Sequence, residues 1–188
     1  MSAREWHYRG TCHRFGDDVE HDAQMISFDY VIRREMDPEV LIPHLFEATR
    51  PDFHRRAKPG DLVVAGRNFG KGKAHIQAYV AMKAMGLALA CESMPYNTYR
   101  ALIGLGFTFM TGCTSIAALV DDGDEVEVDF RSGEFFNHTR GSGQAFRPLP
   151  ERALDIIRQG GTQGVLRAWW AARQAGLPPG SGAPPDTA

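Results

Sequence analysis

At 188 residues, 43% of them apolar, the chain is long enough for one well-buried domain. A formal net charge of -2 with scattered basic residues gives no electrostatic case for nucleic acid. No apolar run approaches the roughly 20 residues that span a membrane, and Met1-Ser2-Ala3-Arg4-Glu5-Trp6 lacks the apolar core of a secretory signal, so cytoplasm is the expected compartment.

Residues 7–35 read as short strand and loop, with an acidic, turn-rich stretch at 14–22 in which Asp22 is placed to orient a substrate or a histidine. Asp37-Pro38-Glu39 has the form of a helix start, Asp37 as N-cap and Pro38 in the first turn. Val40, Leu41, Leu45 and Phe46 then suit one helix face. Lys58-Pro59-Gly60-Asp61 is a turn, and Leu62-Val63-Val64-Ala65 is short and apolar enough for a buried strand. Helical spacing of Ile76, Val80 and Ala84 predicts a helix over 73–85, stopped at Gly86. Leu87-Ala88-Leu89-Ala90-Cys91 is the next strand, so 62–91 is predicted to be a β–α–β unit with parallel strands and a right-handed crossover. At the end of that run Cys91 reads as a small core residue.

A helix over 96–104 and a strand at Phe107-Thr108-Phe109-Met110 follow. Strict alternation in Glu125-Val126-Glu127-Val128-Asp129-Phe130 marks a strand with one wet face. Ser132-Gly133 turns it into Glu134-Phe135-Phe136-Asn137-His138-Thr139, a β-hairpin, and Gln144-Ala145-Phe146-Arg147-Pro148-Leu149 adds a strand. Residues 151–158 and 162–174 are helices parted by Gly160-Gly161. The sequence thus divides into an α/β domain over 1–175 and a glycine- and proline-rich tail over 176–188, expected to be disordered.

The chemistry concentrates after Ala65, in Gly66-Arg67-Asn68-Phe69-Gly70-Lys71-Gly72-Lys73-Ala74-His75. Three glycines let the backbone take positive φ and approach a ligand closely. A helix start at Lys73 would offer free N–H groups and a favourable dipole to an anion, with Lys73 and His75 beside it. Ala74 after Gly72-Lys73 excludes a Walker A loop, and the lack of a third glycine near 75 excludes a dinucleotide fingerprint. Three widely spaced cysteines, Cys12, Cys91 and Cys113, form no Cys-x-x-Cys pair, and His7, His13 and His21 are expected at the surface. Neither a metal site nor an iron–sulfur cluster is expected of this chain alone.

Lys58-Pro59-Gly60-Asp61-Leu62-Val63-Val64-Ala65-Gly66-Arg67-Asn68-Phe69-Gly70-Lys71-Gly72 resembles the "KPGDIIVAGxNFGxG" segment of 3-isopropylmalate dehydratase small subunits. Ala90-Cys91-Glu92-Ser93 with Tyr99-Arg100 is similar to that family's "AESF…FYRN". Gly123-Asp124-Glu125-Val126-Glu127-Val128-Asp129 and Pro148-Leu149-Pro150 leading to Gly160-Gly161 also match in order. The resemblance runs from about Tyr8 to Trp170. It implies the β/β/α swivelling domain of the aconitase superfamily, closing over a large partner subunit that carries a [4Fe–4S] cluster. The implied reaction removes water from a hydroxy di- or tricarboxylic acid and re-adds it at the neighbouring carbon.

At the site the chain departs from the family. Where the family continues Ser-Ser-Arg-Glu after the last glycine, this chain has Lys73-Ala74-His75-Ile76, and the family's "DTD" is Glu20-His21-Asp22. In the family the serine pair supplies the base and the arginine grips a substrate carboxylate. Asn68, Gly70 and Gly72 keep the anion-binding frame and, with Ala74, Asp22 and Arg33, are expected to line the substrate. Two readings stand open. In one, a hydro-lyase subunit has a reassigned pocket, with Lys73 desolvated at a helix N-terminus as base and His75 holding a carboxylate or passing a proton. In the other, a catalytically altered paralogue serves as an anion-binding or regulatory subunit.

Overall fold

The computed structural model describes residues 6–176. Four strands run parallel: β1 (His7–Arg14), β2 (Leu62–Ala65), β3 (Ala88–Cys91) and β4 (Phe109–Thr111). Three more, β5 (Glu125–Asp129), β6 (Glu134–Asn137) and β7 (Ser142–Ala145), extend the sheet by antiparallel pairing from the other side of β1. The order is β4-β3-β2-β1-β5-β6-β7.

β1 is the seam of this α/β fold. Its residues 7–11 pair with β5 and its residues 12–14 with β2. Burial changes at the hand-over: exposed and half-buried positions alternate up to Thr11, then Cys12 and His13 are both buried. β2 and β3 are buried at every position, as parallel strands covered on both faces must be. β5 alternates, one face in the core and one toward water.

Among the described residues, seven α-helices accompany the sheet. α1 (Phe28–Ile32), α2 (Pro38–Leu41) and α3 (Phe53–Arg56) lie in the long connection from β1 to β2. α4 (Gln77–Ala84) joins β2 to β3, and α5 (Tyr96–Leu105) joins β3 to β4. α6 (Glu151–Arg158) and α7 (Gly161–Gln174) follow β7 and pack on α5, while α2 packs on α4. None of the helices described is long and apolar enough to cross a membrane.

The predicted β–α–β unit is present, with β2 and β3 in parallel register from Leu62↔Ala88 to Ala65↔Cys91. Asp37 caps α2 as expected, its carboxylate accepting the Glu39 N–H at 2.9 Å. Several expectations need correction. α4 starts at Gln77, not Lys73, because Gly72 takes a φ of 98° and the first helical bond runs from Val80 N–H to Ile76 C=O. Val40 faces solvent, since α2 ends at Leu41 and a 3-10 turn over Ile42–His44 redirects the chain before Leu45 and Phe46 enter the core. The tail expected from Gly176 onward lies outside the described residues apart from Gly176 itself.

His13 is not at the surface. It is 2% exposed, because β1 is central in the sheet and both faces are covered at Cys12 and His13. Its Nε2 lies 3.0 Å from Oδ2 of the buried Asp61, whose carboxylate also accepts the N–H groups of Thr11 at 2.8 Å and Lys58 at 2.9 Å. Asp61 therefore ties the turn before β2 to β1. Asp61→Ala would leave His13 buried without its partner and the half-buried N–H groups of Thr11 and Lys58 without theirs, at up to about 1–3 kcal/mol for each unsatisfied group. Urea unfolding of this variant is expected to show a loss of at least about 3 kcal/mol. A loss below about 1 kcal/mol would contradict the role given to Asp61.

Candidate active site

Beyond β2 the chain turns through Asn68 at φ 58°, Gly70 at 77° and Gly72 at 98°. Two segments clamp this turn. On one side Gly70 and Lys71 both donate their N–H groups to the Val19 carbonyl at 2.9 Å, and the Lys71 carbonyl accepts the His21 N–H at 3.2 Å. On the other, Ser93 accepts the Asn68 N–H through its hydroxyl and the Phe69 N–H through its carbonyl, and Thr98 donates its hydroxyl to the Gly70 carbonyl at 2.9 Å. The Asn68 side chain donates to Asp18 at 2.7 Å, so its amide braces the turn.

Gly70 has no room for a side chain. A Cβ there would stand 2.5 Å from the Tyr79 hydroxyl, 2.8 Å from Thr98 Cγ2 and 3.0 Å from His21 Cε1. His21 is 1% exposed, contrary to the surface position expected for it, because the turn lies over it. Burial lowers its pKa below the ordinary histidine value and raises that of the Tyr79 hydroxyl well above the ordinary tyrosine value. A neutral imidazole beside a protonated phenol assigns the tautomer. Tyr79 O–H donates to Nε2 at 3.1 Å, and Nδ1–H donates to the Lys71 carbonyl at 3.2 Å.

On the open side of the turn, Asp22 Oδ1 lies 2.7 Å from His75 Nδ1. The Phe28 ring, at the start of α1, packs against the His75 ring with centroids 5.5 Å apart. Lys73 is exposed and Ala74 half-buried. Lys73 is therefore not desolvated at a helix start, since the helix begins four residues later, at Gln77. Among the described residues, no backbone N–H from Gly72 to Tyr79 donates to a protein acceptor. The structure thus brings Asp22, Gly70, Gly72, Lys73, Ala74 and His75 to one place. A hollow of about 420 Å³ lined by Asp22, Ala23, Ser27, Phe28, His44 and Glu47 opens beside them. Arg33 caps the far end of α1, exposed and joined to this group by no side-chain bond among the described residues.

Sequence reasoning missed His21, Tyr79, Phe28 and Gln77. Gln77, at the first position of α4, is 7% exposed with its side-chain oxygen unpaired. Only the glycine-rich composition of the turn could have signalled that large side chains must pack beneath it. Cys91 is a core residue, as expected: burial pushes its thiol up to about 12. The contrast between two glycines tests the packing. Gly72 shares the positive φ of Gly70, but a Cβ added there would meet nothing within 4 Å. Gly72→Ala is expected to lose about 1–2 kcal/mol of stability from backbone strain alone. Gly70→Ala is expected to lose at least about 3 kcal/mol, through strain and displacement of Tyr79 and His21. Equal losses by thermal melting would refute the packing argument.

No family model matches the chain. It is 37% identical over 153 residues to a 3-isopropylmalate dehydratase small subunit of Archaeoglobus fulgidus, covering 81% of this chain and 92% of that protein. It is 38% identical over 154 residues to a methanogen homoaconitase small subunit of Methanothermobacter thermautotrophicus, covering 81% and 86%. An isopropylmalate/citramalate isomerase small subunit of Methanocaldococcus jannaschii is 32% identical over 167 residues, covering 88% and 97%. The crystal structure of a 3-isopropylmalate dehydratase from Methanocaldococcus jannaschii superposes with a TM-score of 0.80 at 29% identity, covering 90% of this chain and 99% of that one. The fold is the swivel-domain topology of the aconitase superfamily's small subunits. With most of its length aligned to them and the same fold, the chain belongs to the 3-isopropylmalate dehydratase small-subunit family of hydro-lyases and isomerases.

Proposed function

We propose that this chain is the substrate-binding wall of a two-protein hydro-lyase acting on a hydroxy di- or tricarboxylic acid of the isopropylmalate type. The observation that carries the reading is the stretch from Gly72 to Ile76, whose N–H groups donate to no acceptor among the described residues, fronted by the exposed Lys73. Such a loop accepts a carboxylate through backbone hydrogen bonds and charge together. Gly70 and Gly72 shape it, Asn68 braces it, and Ala74 leaves its floor without a hydroxyl. The names of the relatives span isopropylmalate, citramalate and homoaconitate chemistry, all carboxylic acids with a hydroxyl or double bond to exchange.

The residues present do not fit an iron–sulfur cluster on this chain. Burial raises the pKa values of Cys12, Cys91 and Cys113, which keeps them as thiols, and no cluster of three or more metal-ligating side chains occurs among the described residues. In the proposed assembly the [4Fe–4S] cluster belongs to the large partner subunit, which closes over the face carrying the glycine turn. This chain's part is to bind the substrate's carboxylate, orient the carbon skeleton and exclude water from one side.

Lys73 is assigned as the charge at the pocket mouth, because it is exposed and nothing described orients it as a base. The second reading, an anion-binding subunit without turnover, is favoured by Ala74 standing where the family has a serine. Co-expression with a large-subunit chain from the same organism under anaerobic conditions, followed by assays with isopropylmalate, citramalate and homoaconitate, separates the two. Turnover of at least one acid supports the hydro-lyase reading; a stable, cluster-loaded complex that turns over none supports the binding reading. In an active complex, Lys73→Ala is expected to raise KM about tenfold or more, the worth of one charge-assisted hydrogen bond, with kcat little changed. Lys73→Arg should restore most of that loss. If instead both variants lower kcat by about 10²-fold or more, Lys73 is the base.

A further inference from the structure

We infer that Asp22 and His75 form the proton-transferring pair of this pocket, with His75 Nε2 as the proton acceptor and Asp22 as its positioning residue. The inference rests on the hydro-lyase reading and assigns the base that the Lys73-Ala74-His75 sequence leaves open. Its ground is the 2.7 Å contact between Asp22 Oδ1 and His75 Nδ1, the length of a charge-assisted hydrogen bond. A carboxylate can only accept, so the ring carries its proton on Nδ1 and presents the lone pair of Nε2 away from Asp22.

Both partners are held. Asp22 sits on a tight turn in which Met25 N–H bonds to the Glu20 carbonyl at 3.1 Å, Ile26 N–H to the His21 carbonyl at 3.2 Å, and Ala23 N–H to the Ile26 carbonyl at 3.1 Å. Immediately before it, buried His21 is fixed by Tyr79 and the Lys71 carbonyl, so the carboxylate has a rigid footing. The His75 side chain is 13% exposed and lies against Phe28, with ring centroids 5.5 Å apart. His75 also stands within the stretch from Gly72 to Ile76 whose N–H groups donate to no acceptor among the described residues. Lys73, by contrast, is exposed and lacks an orienting partner among the described residues.

The step involves the substrate, His75 as proton carrier and one proton exchanged with solvent. His75 Nε2 takes the proton from the carbon adjacent to the hydroxyl-bearing carbon. The electron pair of that C–H bond becomes the new C=C bond, and the C–O bond breaks with its pair going to oxygen. The departing hydroxide leaves as water after gaining a proton from solvent. Asp22 stabilises the imidazolium, which gives its proton back to solvent, or to carbon when water is re-added.

Two measurements test the pair. Long-range ¹H–¹⁵N correlation spectra of the full chain with labelled histidine read the tautomer directly, without substrate or partner. The neutral His75 ring is expected as the Nδ1–H form in the native chain and as the Nε2–H form in Asp22→Ala. The co-expressed complex, assayed on whichever of isopropylmalate, citramalate and homoaconitate it turns over, supplies the second. His75→Gln is expected to lower kcat by about 10²–10⁴-fold with KM changed only a few-fold, and Asp22→Ala by about 10²-fold or more. A neutral Nε2–H ring in the native chain overturns the inference. So does a His75→Gln complex of near-native kcat, which leaves the hydro-lyase reading standing because turnover persists. A cluster-loaded native complex that turns over none of the acids overturns both.

Discussion

The N–H groups of Gly70 and Lys71 converge on one carbonyl, that of Val19, each at 2.9 Å, while the Lys71 carbonyl takes both the backbone and the ring N–H of His21. This exchange joins segments about 50 residues apart into one unit. It requires a neutral, buried His21 and a glycine at position 70, because any Cβ there would strike Tyr79, Thr98 and His21 together. Asp22 is the residue after His21, and His75 follows the turn. Their contact is thus a consequence of the stitching, and every proposal about the pocket inherits its geometry from these bonds.

The sheet supplies the platform. The parallel half, with β2 and β3 buried on both faces, leaves the glycine turn at the carboxyl end of β2, where open α/β sheets bind their ligands. β1 carries the antiparallel half on its other edge, and Asp61 locks the two together at the start of β2. On the wet face of that antiparallel half, Glu127 accepts from both His138 and His7 at 2.6 Å, which holds its carboxyl below the ordinary glutamate value. The proposed pocket and this exposed ladder lie on different halves of the sheet.

Much of the frame was legible in the sequence for local reasons. Leu62-Val63-Val64-Ala65 and Ala88-Leu89-Ala90-Cys91 are apolar throughout because both their faces are covered, and β5 alternates because one is not. Asp37-Pro38 announces its cap in its own composition. What failed were features set by distant residues. The start of α4 moved to Gln77 because the chain is pinned through Lys71 to Val19 and His21 and through His75 to Asp22, and neither partner is near in sequence. His13 and His21 are buried by elements they do not adjoin, Asp61 and Tyr79 among them. α1 and α3 are too short for periodicity to reveal. At the site, sequence marked the glycine turn and allowed that Asp22 could orient a histidine, but 53 residues separate Asp22 from the histidine it meets.

The proposed carboxylate-binding wall, which starts at Gly72 and is completed by a second protein, must bury its backbone amides under the substrate. Hydrogen–deuterium exchange of the assembled complex, with isopropylmalate, citramalate and homoaconitate added in turn, tests this most directly. At least one of these acids is expected to slow exchange at the backbone amides from Gly72 to Ala78, whose N–H groups have no acceptor within the described chain. Protection of other segments, with exchange across Gly72 to Ala78 unchanged for all three acids, would contradict the assignment of this turn as the binding wall.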